Sequence, residues 1–272
     1  MRFSNDCPVS RRGRGGRPER GLQAIAACVA LVAIAAGGSG PALADSANAS
    51  AKAAADTRPI ANPEIAPPTL AALLAGFRTM PGFEARFEEE KTLALLAAPL
   101  RSRGRLYFAP PATLLRRVDA PNPHDILIRE HVVRIATPRS GASDSLSDSL
   151  SDPARDVETI DLARRADVRP LVESMLWIFS GDFAQLEAIY RIDYQVLAPS
   201  ASGRWLLRLS PRSEPLSSLI RELAISGRGH VADGLEVTET SGDHTTTRIL
   251  DANSQRRFAA GEIEKLFGIE AP

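Results

Sequence analysis

The chain has 272 residues, 33 basic and 33 acidic, so its formal net charge is zero. Residues 1–44 hold six arginines and two acids, which leaves 27 basic against 31 acidic residues from Asp45 onward. A weakly acidic body gives no electrostatic footprint for nucleic acid, and the length suits one large β-rich domain or two small ones.

Arg11, Arg12, Arg14, Arg17 and Arg20 precede Leu22–Ala36, an apolar run without a charge. Ala42-Leu43-Ala44 supplies the small residues of a cleavage site. Together they read as a secretory signal peptide over residues 1–44, cleaved after Ala44. The apolar run is too short for a comfortable membrane span. Cys7 and Cys28 are the two cysteines and both lie in this segment, so the exported chain is expected to carry no disulfide. Residues 45–68, rich in Ala and Pro, read as a flexible linker ahead of a folded region at 69–272.

Thr69 is placed to cap a helix, Leu70 to Phe77, ended by Pro81-Gly82. Phe83, Ala85 and Phe87 then alternate with Glu84, Arg86 and Glu88, the period of a half-buried strand. Leu106 and Phe108 mark a second strand, interrupted by Pro110 and Pro111; Leu114, Leu115 and Val118 carry a third. In Asp125–Ala136, Ile126 and Ile128 share one face, and Val133 and Ile135 share another in the following strand. The repeat SDSLSDSLSD at 143–152 cannot bury a core and reads as a loop. A short strand resumes at Glu158–Leu162.

The period then changes. Leu171, Met175, Leu176, Ile178 and Phe179 recur at helical spacing, and Ser180-Gly181 stops that helix. Asp182 is placed to cap a second helix, Phe183 to Tyr190. Such a pair can cover the apolar face of a sheet. From Arg191 the chain reads as an antiparallel meander, with strands around Tyr194, Leu207, Leu223 and Val237. Asp233-Gly234 is a hairpin signal. Thr245–Leu250 closes the run, and 260–267 reads as a short terminal helix or coil.

No catalytic set emerges. The four histidines, His124, His131, His230 and His244, do not share metal-ligand spacing. No G-x-S-x-G or S-x-x-K occurs. Glu88, Glu89 and Glu90 read as a solvated strand edge. Arg116-Arg117 and Arg164-Arg165 read as surface charge, or as docking spots for an acidic partner or anionic headgroups.

The stretches FEARFEEEKTLALLAAPLRSRGRLYFAPPATLLRRV, PLVESMLWIFSGDFAQLEAIY and the meander that ends in TSGDHTTTRIL resemble the LolA-type outer-membrane lipoprotein carriers over Thr69 to Leu250. The segment EEEKTLALLAAPLRSRG marks a divergent branch of that family. The resemblance implies an unclosed, strongly curved antiparallel β-barrel with a helical lid over its concave apolar face. It implies acyl-chain binding in the periplasm, with an inner-membrane donor complex and an outer-membrane acceptor as partners. It implies no metal and no cofactor, and the lack of a catalytic signature makes the chain an expected non-enzyme. The family places an arginine that ties the lid to the barrel just before the proline of the second strand; Pro110 stands there in this chain.

The expected function is a monomeric periplasmic shuttle for lipoprotein acyl chains or a related envelope lipid. The alternatives are a lipid-sensing regulator with the same fold, or a carrier of a polyene or glycolipid. The residues expected to face the lipid are Phe83, Phe87, Leu106, Phe108, Ile126, Ile128, Leu176, Trp177, Phe179 and Leu207.

Overall fold

The computed structural model describes residues 66–139, 155–197 and 203–268. The expected signal peptide, nearly all of the linker, the repeat at 143–152 and most of the turn at 199–203 lie outside them. Among the described residues eleven strands form one sheet: β1 (Phe83–Thr92), β2 (Leu100–Ala109), β3 (Thr113–Ala120), β4 (His124–Arg129), β5 (Val132–Pro138), β6 (Arg155–Asp161), β7 (Tyr190–Val196), β8 (Arg204–Pro211), β9 (Ile220–Arg228), β10 (Val231–Glu239) and β11 (His244–Asn253). Their spatial order is β6-β5-β4-β3-β2-β1-β11-β10-β9-β8-β7. Every neighbouring pair is antiparallel, and the two edges do not meet. The result is the expected unclosed, curved β-barrel with helices.

The topology dictates where its cover must lie. β6 and β7 are consecutive in sequence but occupy opposite edges. The segment joining them therefore has to cross from one edge to the other. It does so through a 3-10 turn at Leu162–Arg164 and two helices. Among the described helices, α1 is Leu70–Arg78, α2 is Arg169–Ser180, α3 is Phe183–Ile189, α4 is Leu216–Leu219 and α5 is Ala260–Phe267. The connection thus carries α2 and α3. The caps match the sequence: Thr69 accepts from the Ala72 amide at the start of α1, and Asp182 accepts from the Gln185 amide at the start of α3. Pro170 sits in the first turn of α2, where its missing amide costs nothing.

The period of two fixes which residues turn inward. Phe83 pairs with Phe108, Phe108 with Leu114, Leu114 with Ile128, and Ile128 with Val133. Val133 and Ile135 therefore share the face of Ile126 and Ile128 instead of a separate one. A single cluster joins this face to β8–β11 and to α1, α2 and α3.

The outer face holds a second, smaller cluster. Tyr107, Ala109, Leu115, Leu127 and Ala136 are buried there against Leu266 and Phe267 of α5. The terminal element is thus a docked helix. The middle strands β2–β5 are buried on both faces because α5 covers the outside.

The expected hairpin at Asp233-Gly234 is displaced. The chain turns at Gly229-His230, and Asp233 and Gly234 lie inside β10, where the register shifts between Ala232 and Gly234. Such a shift is a β-bulge. Asp233 uses it to accept from Arg204 Nη1 at 3.0 Å and from Ser226 Oγ at 3.2 Å. Gly227, one strand away, is required by packing. A Cβ there would lie 2.3 Å from the ring of the fully buried Trp205, whose Nε1 donates to Gly229 O at 2.8 Å.

Candidate functional site

The inner face grades along its strands from apolar to polar. At the apolar end, Phe179 of α2 stacks on Phe108, with ring centroids 4.8 Å apart and planes within 11°. It also lies tilted at 5.6 Å from Phe83. Phe83, Phe87, Leu106, Phe108, Ile126, Ile128, Leu176, Phe179 and Leu207 are all buried in one cluster, and Trp177 packs against it half-buried. The structure thus brings all ten predicted residues together. Phe83, Phe87, Leu106, Phe108, Ile126 and Ile128 come from β1, β2 and β4; Leu207 comes from the far half of the sheet on β8.

The cover is fixed by a few polar ties. Arg78 of α1 donates from Nη2 to Gly181 O at 3.1 Å. Gly181 ends α2 in a left-handed conformation, with φ +65°. A Cβ there would lie 2.6 Å from Leu74 O, so α1 and α2 meet backbone to backbone. Pro110 lies in the β2–β3 turn. At the β4–β5 turn, His131 Nδ1 lies 2.9 Å from Glu173 Oε1, and Arg169 Nε donates to the same oxygen at 2.8 Å.

A third tie is buried. Ser174 Oγ donates its hydrogen to Leu171 O at 2.7 Å. The Tyr190 hydroxyl, 3.0 Å away, is therefore the donor to Ser174. Burial pushes the Tyr190 hydroxyl up to about 12, with the Ser174 hydrogen bond opposing it. The side chain stays a neutral donor at physiological pH and fastens α2 to the start of β7.

The polar end corrects two sequence expectations. Glu89 is not at a solvated edge; it continues the inward parity of Phe83, Ala85 and Phe87. Arg116 is not surface charge. It is 1% exposed, its Nη2 donates to Glu89 Oε1 at 2.8 Å, and its guanidinium lies 4.6 Å from the centroid of the Phe87 ring. Ser102 and Thr247 also donate to the Glu89 carboxylate, each at 3.2 Å. Arg117 points outward but is likewise committed: it grips the buried Asp125 through Nε and Nη2 at 3.1 Å each. Arg155 Nη1 completes that group at 2.7 Å. Arg164 and Arg165 fit the surface reading, with Asp161 and Asp167 as their respective partners.

Outside the barrel, a cleft of about 710 Å³ runs past Glu88, Glu90, Arg101, Arg103 and Arg248. Four of its charges pair across strands, Glu88 with Arg248 and Glu90 with Arg101, which makes it a poor surface for an acyl chain. Among the described residues no cluster of His, Cys, Asp or Glu is arranged to hold a metal ion. No helix among them is long and apolar enough to cross a membrane.

An open antiparallel barrel, greasy inside and roofed by the helical segment that joins its two edges, defines the class of unclosed β-barrels with a helical cover. Residues 74–266 match the family described as outer membrane lipoprotein carrier protein LolA-like, and the chain belongs to that family. Similar solved structures include a LolA superfamily protein from Nitrosomonas europaea, at 10% identity and TM-score 0.35, covering 72% of this chain and 96% of that one. A chain of the Pseudomonas aeruginosa MucA/MucB complex matches at 12% identity and TM-score 0.36, covering 70% of this chain and 58% of that one. None of the curated proteins matches the chain.

Proposed function

We propose that this protein is a periplasmic carrier that takes acyl chains of lipoproteins, or of a related envelope lipid, onto the inner face of the barrel and delivers them toward the outer membrane. The observation that carries this reading is the apolar inner face closed by a separate, sequence-contiguous lid. Phe83, Phe108 and Ile128 on the sheet, and Leu176 and Phe179 on α2, are its central lipid-facing residues; the other five predicted positions flank them. Export by a signal peptide cleaved after Ala44 brings the chain to its cargo. An inner-membrane donor complex loads it and an outer-membrane acceptor unloads it. No enzymatic step is assigned.

Magnitudes favour exchange between lid and cargo. Leu171, Val172, Met175, Leu176, Ile178 and Phe179 of α2 are buried. At about 1.5–3 kcal/mol per side chain, their burial gains roughly 9–18 kcal/mol gross. A sixteen-carbon acyl chain gains roughly 12 kcal/mol at about 0.8 kcal/mol per methylene. The two are of one order, so a chain can part the lid from the sheet and lie between them without a large net cost. The ties at Arg78, Glu173 and Tyr190 add about 1 kcal/mol each and tune the balance without dominating it. Organic extraction of the protein purified from the periplasm, followed by mass spectrometry, is expected to yield acylated lipid or lipopeptide at near-stoichiometric level. Recovery of no lipid, with delipidated protein failing to take up any acyl chain, contradicts the reading.

A further inference from the structure

The β1–β2 connection is unlike the rest of the surface. Residues 93–100 read LALLAAPL, eight positions without a single polar side chain. Leu95 is 97% exposed, Leu96 47% and Leu100 52%. They are three of the six large apolar side chains exposed among the described residues.

The tip is nonetheless held in place. The Ala94 amide donates to Asp243 Oδ1 at 2.9 Å, and the Leu96 amide to Leu93 O at 3.0 Å. At its base, Lys91 Nζ donates to Glu239 Oε1 at 2.7 Å and Arg101 Nε to Glu90 Oε2 at 3.0 Å. A firmly presented apolar tip loses little conformational freedom on binding.

We propose that this tip docks the protein onto a phospholipid bilayer by shallow insertion of Leu95, Leu96 and Leu100. Three features select a bilayer over a protein partner. The tip is an end of a hairpin, and its side chains are aliphatic only. It lacks the Trp, Tyr and Arg anchors that dominate protein hot spots. Its length is far below that of a membrane span and suits insertion at the headgroup boundary. The charges at its base are already paired within the protein, so insertion should depend on apolar burial and resist salt. Its biological purpose rests on the carrier reading: β1 runs from Phe83 under the lid, past Glu89, to Lys91 at the base of the tip. Docking there sets the polar end of the inner face at the bilayer surface.

The test uses the chain from Asp45 onward, the exported form in the carrier reading, which has no native cysteine, with Leu95→Cys labelled with an environment-sensitive nitrobenzoxadiazole probe. Vesicles of phosphatidylethanolamine and phosphatidylcholine, without lipoprotein, are added at low and high salt. The probe emission is expected to shift to the blue and rise about threefold, as for a group entering the interface. The response should persist at high salt and fall when Leu96→Asp and Leu100→Asp are added. The same probe on Arg164→Cys, beside the lid, should not respond. A silent probe at position 95, or equal responses at 95 and 164, overturns the proposal. Because docking is read by the probe and carriage by acyl-chain uptake, a silent probe in a protein that still takes up acyl chains refutes docking alone.

Discussion

Glu89→Ala is expected to lower the free energy of unfolding by about 3–5 kcal/mol, the range for breaking a buried ion pair from one side. Glu89 faces inward between Arg116, Ser102 and Thr247, and it is the carboxylate that balances a guanidinium 1% exposed. Alanine removes the carboxylate to which this buried guanidinium and the Ser102 and Thr247 hydroxyls donate. Removing both charges together should behave differently. Glu89→Leu with Arg116→Met is expected to be near neutral, because the desolvation of both ions is also removed. Urea denaturation of the single and double variants checks this. A loss below about 1 kcal/mol for Glu89→Ala would be that of an exposed pair and would contradict the burial described here.

Leu176→Asp is expected to release the lid and cut acyl-chain affinity at least tenfold, about 1.4 kcal/mol, while the sheet stays folded. Leu176 lies in the inner cluster with Phe179, on a helix joined to the sheet by the 162–189 segment and by few polar ties. A carboxylate at that position has no partner and is costly to bury. Opening α2 relieves the cost without breaking any strand pairing, since α2 contributes none. Circular dichroism should therefore retain its strand signal while displacement of a fluorescent fatty acid weakens. If the variant instead unfolds cooperatively, α2 is core and not lid. If it folds and binds with wild-type affinity, Leu176 is outside the site.

The apolar skeleton was legible because two periods write it. Alternation in β1 and helical spacing in α2 placed Phe83, Phe87 and Phe179 on facing surfaces before any coordinates. The caps at Thr69 and Asp182 fixed two helix starts. The inward charges were not read, though a signal existed. Glu89 has the same parity as Phe87, and Arg116 the same parity as Leu114. Opposite charges on one inward face, at positions brought together by the pairing of β1, β2 and β3, foretell a buried pair. That inference needs the register, which local sequence does not supply. Asp233-Gly234 misled because a bulge and a turn use the same residues. The outer cluster was hidden since α5 is remote in sequence from Tyr107 and Leu127, and nothing local announces which face a terminal helix will cover. The tip at Leu95 was visible as composition only; its exposure is a fact of the fold.

The central claim is that an acyl chain occupies the inner face of the barrel, between the sheet and α2. A fatty acid carrying a diazirine near its terminus tests it most directly, by photolysis on the delipidated protein and mapping of the labelled residues. The account predicts labels on Phe83, Phe108, Ile128, Leu176 or Phe179, and their loss on competition with unlabelled acyl chain. Labelling confined to the outer cleft between Glu88 and Arg248, or to the tip at Leu95 and Leu96, would contradict it.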